Sequence, residues 1–114
     1  MRIVLRRLPL VTMCPHHLLP AEGHADVAFE PDRLWVGLGG IAALVELSGK
    51  RLILQEALSE EIADVIDEVL RPRWVRVSLR LAHACVRLRG ERAHGSEVET
   101  CSTRGAAPSD GWGS

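Results

Sequence analysis

Between residues 75 and 81 apolar and polar side chains alternate without a fault: Val75, Val77, Leu79 and Leu81 against Arg76, Ser78 and Arg80. A period of two marks a strand with one face in a core and the other toward water. Such a strand cannot stand alone. It needs neighbouring strands and a layer of helices or a second sheet over its apolar face.

The rest of the chain supplies both. Residues 2–13 alternate in part (Ile3, Leu5, Leu8, Leu10) and read as a strand broken near Pro9. Cys14-Pro15-His16-His17 reads as a turn. A second strand spans 24–29, and Glu30-Pro31-Asp32-Arg33 is a turn signal. Leu34 to Gly37 could extend the sheet. Leu38, Ile41, Leu44 and Val45 recur at helical spacing over 38–47, with glycines 37, 39 and 40 at the start. Residues 52–55 lead to a second helix with Ser59 as its expected N-cap and Glu60 and Glu61 in the first turn. Ile62, Val65, Ile66, Val69 and Leu70 are its apolar stripe, and Pro72 ends it. The alternating strand runs on to about Leu88, and 98–103 read as a last strand. The order β-β-α-α-β-β predicts an α+β domain, an antiparallel sheet with two helices on one face. The domain is expected over 1–105, with a flexible tail over 106–114.

The 114 residues, 46% hydrophobic and 25% charged, suit one small globular domain. A net charge of −1 argues against a nucleic-acid partner held by bulk charge. No apolar run reaches the ~20 residues of a membrane-spanning helix. Thirteen of the fourteen basic residues are Arg, which reflects composition bias more simply than function. Three Cys, an odd number, with no leader-like start, lead to the expectation of a reducing, cytoplasmic setting. There Cys near His speaks for metal or catalysis.

Cys14 lies three residues before His17 and next but one to His16; His83 lies two residues before Cys85 on the long strand. If the two pairs meet, two thiolates and one imidazole can hold zinc, leaving a fourth position for water. The remaining imidazoles could carry protons. The less favoured alternative is a pair of packed thiols with hydrogen-bonded histidines. Cys101 reads as a small packed residue, and His24 and His94 as surface or hydrogen-bonded. Trp35 and Trp74 read as core or interface residues, and Trp112 as part of the mobile tail. Arg71, Arg73, Arg76 and Arg80 read as a solvated face, or as the lining of an oligomeric barrel.

These motifs carry a family resemblance. Thr12-Met13-Cys14-Pro15-His16-His17-Leu18-Leu19-Pro20 with Gly23, and Val36-Gly37-Leu38, come first. Arg51 with Gln55-Glu56, Leu58 with Ile62-Ala63, and Leu70-Arg71-Pro72 follow. Ala82-His83-Ala84-Cys85 and Leu88-Arg89-Gly90 complete the set. In order and spacing they resemble GTP cyclohydrolase I over residues 8–105. The resemblance implies the T-fold (tunnelling fold), whose subunits form oligomeric barrels and rings with active sites between subunits. It implies Zn2+ held by Cys14, His17 and Cys85. It makes His83 the proton carrier near the purine imidazole and His16 the assistant at the sugar oxygen. Glu56, with Gln55, would read the guanine edge, where a carboxylate can accept two N–H bonds at once. The chemistry implied is zinc-hydroxide attack at C8, opening the imidazole ring.

The departures matter as much. Where the family has Ser-Lys at the first helix and an Arg three residues on, this chain has Gly39, Gly40 and Ala43. The Arg after Gln-Glu is Ala57, while Arg89, the other phosphate position, remains. Each lost charged contact removes roughly 1.5–3 kcal/mol. The family's N-terminal helical region is also not matched, so a pocket completed by a partner subunit is expected. The reading is a zinc hydrolase opening a guanine-like purine with little or no phosphate: a free base, an oxidised base or a nucleoside. Its partners are a small purine and further copies of the chain, with no nucleic acid and no membrane. The alternatives are a true GTP cyclohydrolase I with phosphate contacts relocated to Arg87, Arg92 or a neighbour, and a non-catalytic purine- or pterin-binding scaffold.

Overall fold

In the computed structural model the chain is described at residues 1–14, 19–33, 37–51, 53–83 and 97–108. Six elements follow in the expected order: β1 (Ile3–Cys14), β2 (Leu19–Glu30), α1 (Leu38–Ser48), α2 (Gln55–Leu70), β3 (Trp74–His83) and β4 (Val98–Gly105). The strands form one antiparallel sheet in the order β1-β2-β3-β4. The alternation over 75–81 is realised: Val75, Val77, Leu79 and Leu81 are fully buried. They join Leu10, Ala21, Ala25, Val27 and Phe29 of the neighbouring strands in one core with Ile41 and Val45 of α1 and Leu58, Ile62 and Ile66 of α2. Truncating any of the last three to Ala would cost about 2–5 kcal/mol.

The structure corrects several boundaries. The break in β1 is not at Pro9, which stays in the ladder opposite His24. Proline is tolerated there because β1 is an edge strand among the described residues. The irregularity falls between Leu5 and Leu8, where two residues oppose Asp26. Arg7 takes a φ of 59° there, and its backbone N–H donates to Asp26 Oδ1 at 2.8 Å. This is a β-bulge held by a carboxylate. β2 begins at Leu19, five residues before the expected strand, because it pairs along the whole of the hairpin with β1. β4 runs on to Gly105 rather than Thr103.

The second helix starts one turn early. Its N-cap is Leu54, and Ser59 is not a cap but a buried residue inside the helix. Its hydroxyl donates to the Glu56 carbonyl at 3.0 Å. The helix ends at Leu70 before Pro72, and Arg71 closes it in the left-handed conformation, φ 48°. Glycine holds that conformation without the Cβ penalty. Arg71→Gly is therefore expected to stabilise the fold by about 1 kcal/mol, read as a higher urea midpoint with an unchanged slope.

Cys101 is exposed, not packed. It pairs with Ser78, on the face of the sheet opposite the helices. Its thiol pKa is nevertheless raised, mainly by desolvation, with Arg76 lowering it and Glu99 raising it. A protonated thiol is a poor ligand. Trp74 is buried, as expected of a core or interface residue. Past Gly105 the chain turns back, and Arg76 donates to the Pro108 carbonyl. Trp35, His94, Trp112 and the continuation of the long strand toward Leu88 lie outside the described residues.

Candidate active site

The sheet register gathers the described site positions at one end. Cys14 is the last residue of β1, paired with Leu19. His83 is the last residue of β3, paired with Ala21, which in turn pairs with Thr12. A single row thus crosses three strands, and Cys14 lies two residues past its β1 member. Close approach of β2 to β3 near this end requires Gly23: a Cβ there would sit 2.0 Å from the Arg80 carbonyl oxygen.

The helices come down on the same end. Thr12 Oγ1 donates to the Arg51 carbonyl at 3.5 Å, tying the connection between α1 and α2 to β1. Arg51 itself pairs with Glu61. Gln55, 3% exposed, donates from Nε2 to the carbonyl oxygens of Val98 (2.8 Å) and Leu79 (3.3 Å) and to Thr100 Oγ1 (3.3 Å). Val98 pairs with Leu81, so this anchor lies about two residues, ~7 Å along the strand, from His83. Glu56, next in the chain, is exposed in the first turn of α2. An exposed carboxylate over the end of a sheet can reach the N–H donors of a planar base.

Further along, α2 meets β4 through polar groups. Ser102 Oγ donates to Glu60 Oε1 at 2.8 Å and lies 3.1 Å from Ser59 Oγ. Arg104 pairs with Glu60 and, at 2.7 Å, with Asp64. Arg104 and Ser102 hold the Glu60 carboxyl below its ordinary value. A carboxylate with a lowered folded pKa stabilises above its unfolded pKa, and that contribution is lost as pH falls through the folded one. The melting temperature is therefore expected to fall below about pH 4.5, and Glu60→Gln to flatten that limb of the profile.

Of the residues that the sequence marks for the site, Cys14 and His83 are placed by the backbone, and Gln55 and Glu56 with their side chains. His16, His17, Cys85 and Arg89 lie outside the described residues. Among the described residues, no three His, Cys, Asp or Glu come together as a cation site; two of the three zinc candidates are not among them. The phosphate-departure positions Gly39, Gly40, Ala43 and Ala57 are all exposed. A Cβ on Gly39 would meet nothing within 4 Å, so packing does not demand glycine there. The polar ladder of Ser59, Ser102 and Arg104 was not legible as part of the architecture, because its members are distant in sequence. On the helix-free face a concavity of about 430 Å³ is lined by Glu22, His24, Arg80, Ala82 and Glu97, among others.

A family model described as GTP cyclohydrolase I matches residues 1–111. The chain belongs to the GTP cyclohydrolase I family. A relative named GTP cyclohydrolase 1 from Gloeobacter violaceus is 40% identical over 103 residues, 90% of this chain and 48% of the relative. One of the same name from Carboxydothermus hydrogenoformans is 43% identical over 104 residues, 90% of this chain and 54% of the relative. The chain thus spans about half the length of the GTP cyclohydrolase relatives it matches. Among solved structures, the archaeosine synthase QueF-Like in its apo form has a TM-score of 0.69 at 19% identity, covering 95% of each chain. Dihydroneopterin aldolase of E. coli in complex with neopterin has a TM-score of 0.65 at 17% identity, covering 92% of this chain and 99% of that one. These likenesses show the T-fold. No helix among the described residues is long and apolar enough to cross a membrane.

Proposed function

We propose that this member of the GTP cyclohydrolase I family is a zinc-dependent hydrolase that opens the imidazole ring of a guanine-like purine carrying little or no phosphate. The observation that carries this reading is selective change. Cys14, His16, His17, Glu56, His83 and Cys85 are all present, while the family's Ser-Lys pair and two Arg are replaced by Gly39, Gly40, Ala43 and Ala57, three of them losses of a cation. Those four positions are exposed, with open space at Gly39, so steric demand does not explain the change.

The donor set fits the metal: Cys14, His17 and Cys85 offer two thiolates and an imidazole, a set zinc accepts with one position left open. When bound, zinc brings a water molecule's pKa down toward neutrality. The protein's own groups do the rest. Glu56 accepts the ring N1–H and the exocyclic amine, which fixes the base in the plane of its carboxylate. His83 holds the proton exchanged at the imidazole nitrogen as the ring opens, and His16 serves at the sugar oxygen where a sugar is present. Arg89 remains for one anionic group at most. The product is a substituted pyrimidine. Copies of the chain assemble in a ring with the sites between them, a cytoplasmic enzyme acting on a small molecule.

A panel of guanine, guanosine, 8-oxoguanine and GTP, followed by loss of ultraviolet absorbance, tests this. Faster turnover of GTP than of the other three would overturn it. A second reading is favoured by the names of the relatives: a GTP cyclohydrolase I whose phosphate contacts have moved to Arg87, Arg92 or a neighbouring copy. Strong competition by inorganic triphosphate is expected only on that reading.

A further inference from the structure

Glu56 stands at the least secured place on a helix, its first turn. The N-cap is Leu54, whose side chain can make no capping hydrogen bond, and none is present. An uncapped first turn leaves backbone donors without helical partners and frays readily. Here the first intrahelical bond, Leu58 N–H to the Leu54 carbonyl, is nevertheless short at 2.9 Å. The group that holds the turn is Gln55. Its amide nitrogen reaches two strand carbonyls and one hydroxyl, at Leu79, Val98 and Thr100, so it bridges β3 and β4 beneath the helix end. At 3% exposure that nitrogen is shielded from water, where a hydrogen bond is costly to break.

We infer that Gln55 is a positioning residue: it fixes the Glu56 carboxylate for base recognition by pinning the start of α2 to the sheet, and its amide nitrogen does not read the base. The inference rests on the proposed role of Glu56. It differs from a direct base contact in how the two residues combine. A residue acting through Glu56 matters only while Glu56 is there; a second contact to the base adds its own effect.

The test uses the zinc-loaded, assembled protein and two probes, guanosine and inosine, which differ in the exocyclic amine. Affinities are measured for the natural chain, Gln55→Met, Glu56→Ala and the double variant. Glu56→Ala should remove most of the preference for guanosine. Gln55→Met keeps the volume and removes the donors; it should weaken guanosine by about 10-fold and inosine less, with lower hydrogen-exchange protection at the Leu58 amide. In the double variant the guanosine affinity should match Glu56→Ala within about twofold. Should Gln55→Met fail to fold, Thr100→Val removes one partner of the same amide and should shift guanosine affinity in the same direction by a smaller factor. Additive losses would overturn the inference and make Gln55 a base contact. A lower melting temperature with the guanosine preference intact would overturn it in favour of a purely structural role. If Glu56→Ala leaves guanosine affinity unchanged, the base-recognition reading itself falls, and the inference with it.

Discussion

A Cys85→Ser chain is expected to lose its zinc and, with it, ring-opening activity. The reason is coordination chemistry. A serine hydroxyl is not ionised at neutral pH and is a hard oxygen donor, so one of two thiolates is replaced by a group that scarcely binds zinc. Even groups that only support a ligand from behind cost 10–100-fold in metal affinity when removed; losing a direct ligand should cost at least about 100-fold. Metal content by plasma emission and turnover of guanosine should fall together. Cys101→Ser serves as the control, since Cys101 is exposed on the helix-free face with its thiol held in the protonated form. Retention of zinc and activity in Cys85→Ser, or activity of the natural chain unchanged after chelation, would rule out the metal mechanism for both enzyme readings.

Restoring the phosphate cations should have the opposite sign and a comparable size. Gly40→Lys with Ala43→Arg puts two positive charges on exposed positions of α1. Each contact from such a group to a phosphate is worth roughly 1.5–3 kcal/mol, so together about 3–6 kcal/mol. That corresponds to roughly 150-fold to 2 × 10⁴-fold tighter binding of inorganic triphosphate, measured as its inhibition constant against guanosine turnover. The helix itself should change little, since the propensity gain of Lys over Gly, up to about 1 kcal/mol, is offset by a cation in the first turn of α1, against the helix dipole. An unchanged inhibition constant would mean that α1 does not face the phosphate site in this chain, and the substrate reading would lose its main support.

Much of the fold was readable from periodicity because periodicity is local. The Val75–Leu81 alternation and the Ile62–Ile66 stripe each report on a single element facing a single layer. The misplacements have tertiary causes. Ser59-Glu60-Glu61 is a sound capping signature, but the buried Gln55 amide holds one more turn of helix against β3 and β4. Cys101 is a residue type that is usually packed, yet its place in the ladder opposite Ser78 turns it away from the helices. Pro9 is a strand breaker that an edge strand can absorb. For the site, motif spacing singled out Cys14 and His83, and the pairing of β1, β2 and β3 puts both at one end of the sheet. The binding contribution of Gln55 could not be separated from a structural one in sequence, since its acceptors are backbone carbonyls at Leu79 and Val98.

The polar seam between α2 and β4 has a thermodynamic consequence. The β4 side chains that meet the helix are Thr100, Ser102 and Arg104, where β1 to β3 offer mainly apolar groups. Little apolar surface is therefore exposed when β4 detaches, and the partners it loses are replaced by water. Such an element separates in a small opening well below the global unfolding free energy. The amides of β4 should exchange ahead of those of β2 and β3. Acid should lower the protection there first, at Ser102 and its neighbours, measured against the intrinsic exchange rate at each pH, as Glu60 takes up its proton. Residues 98–105 should thus be the part of the sheet that opens before β2 and β3 do.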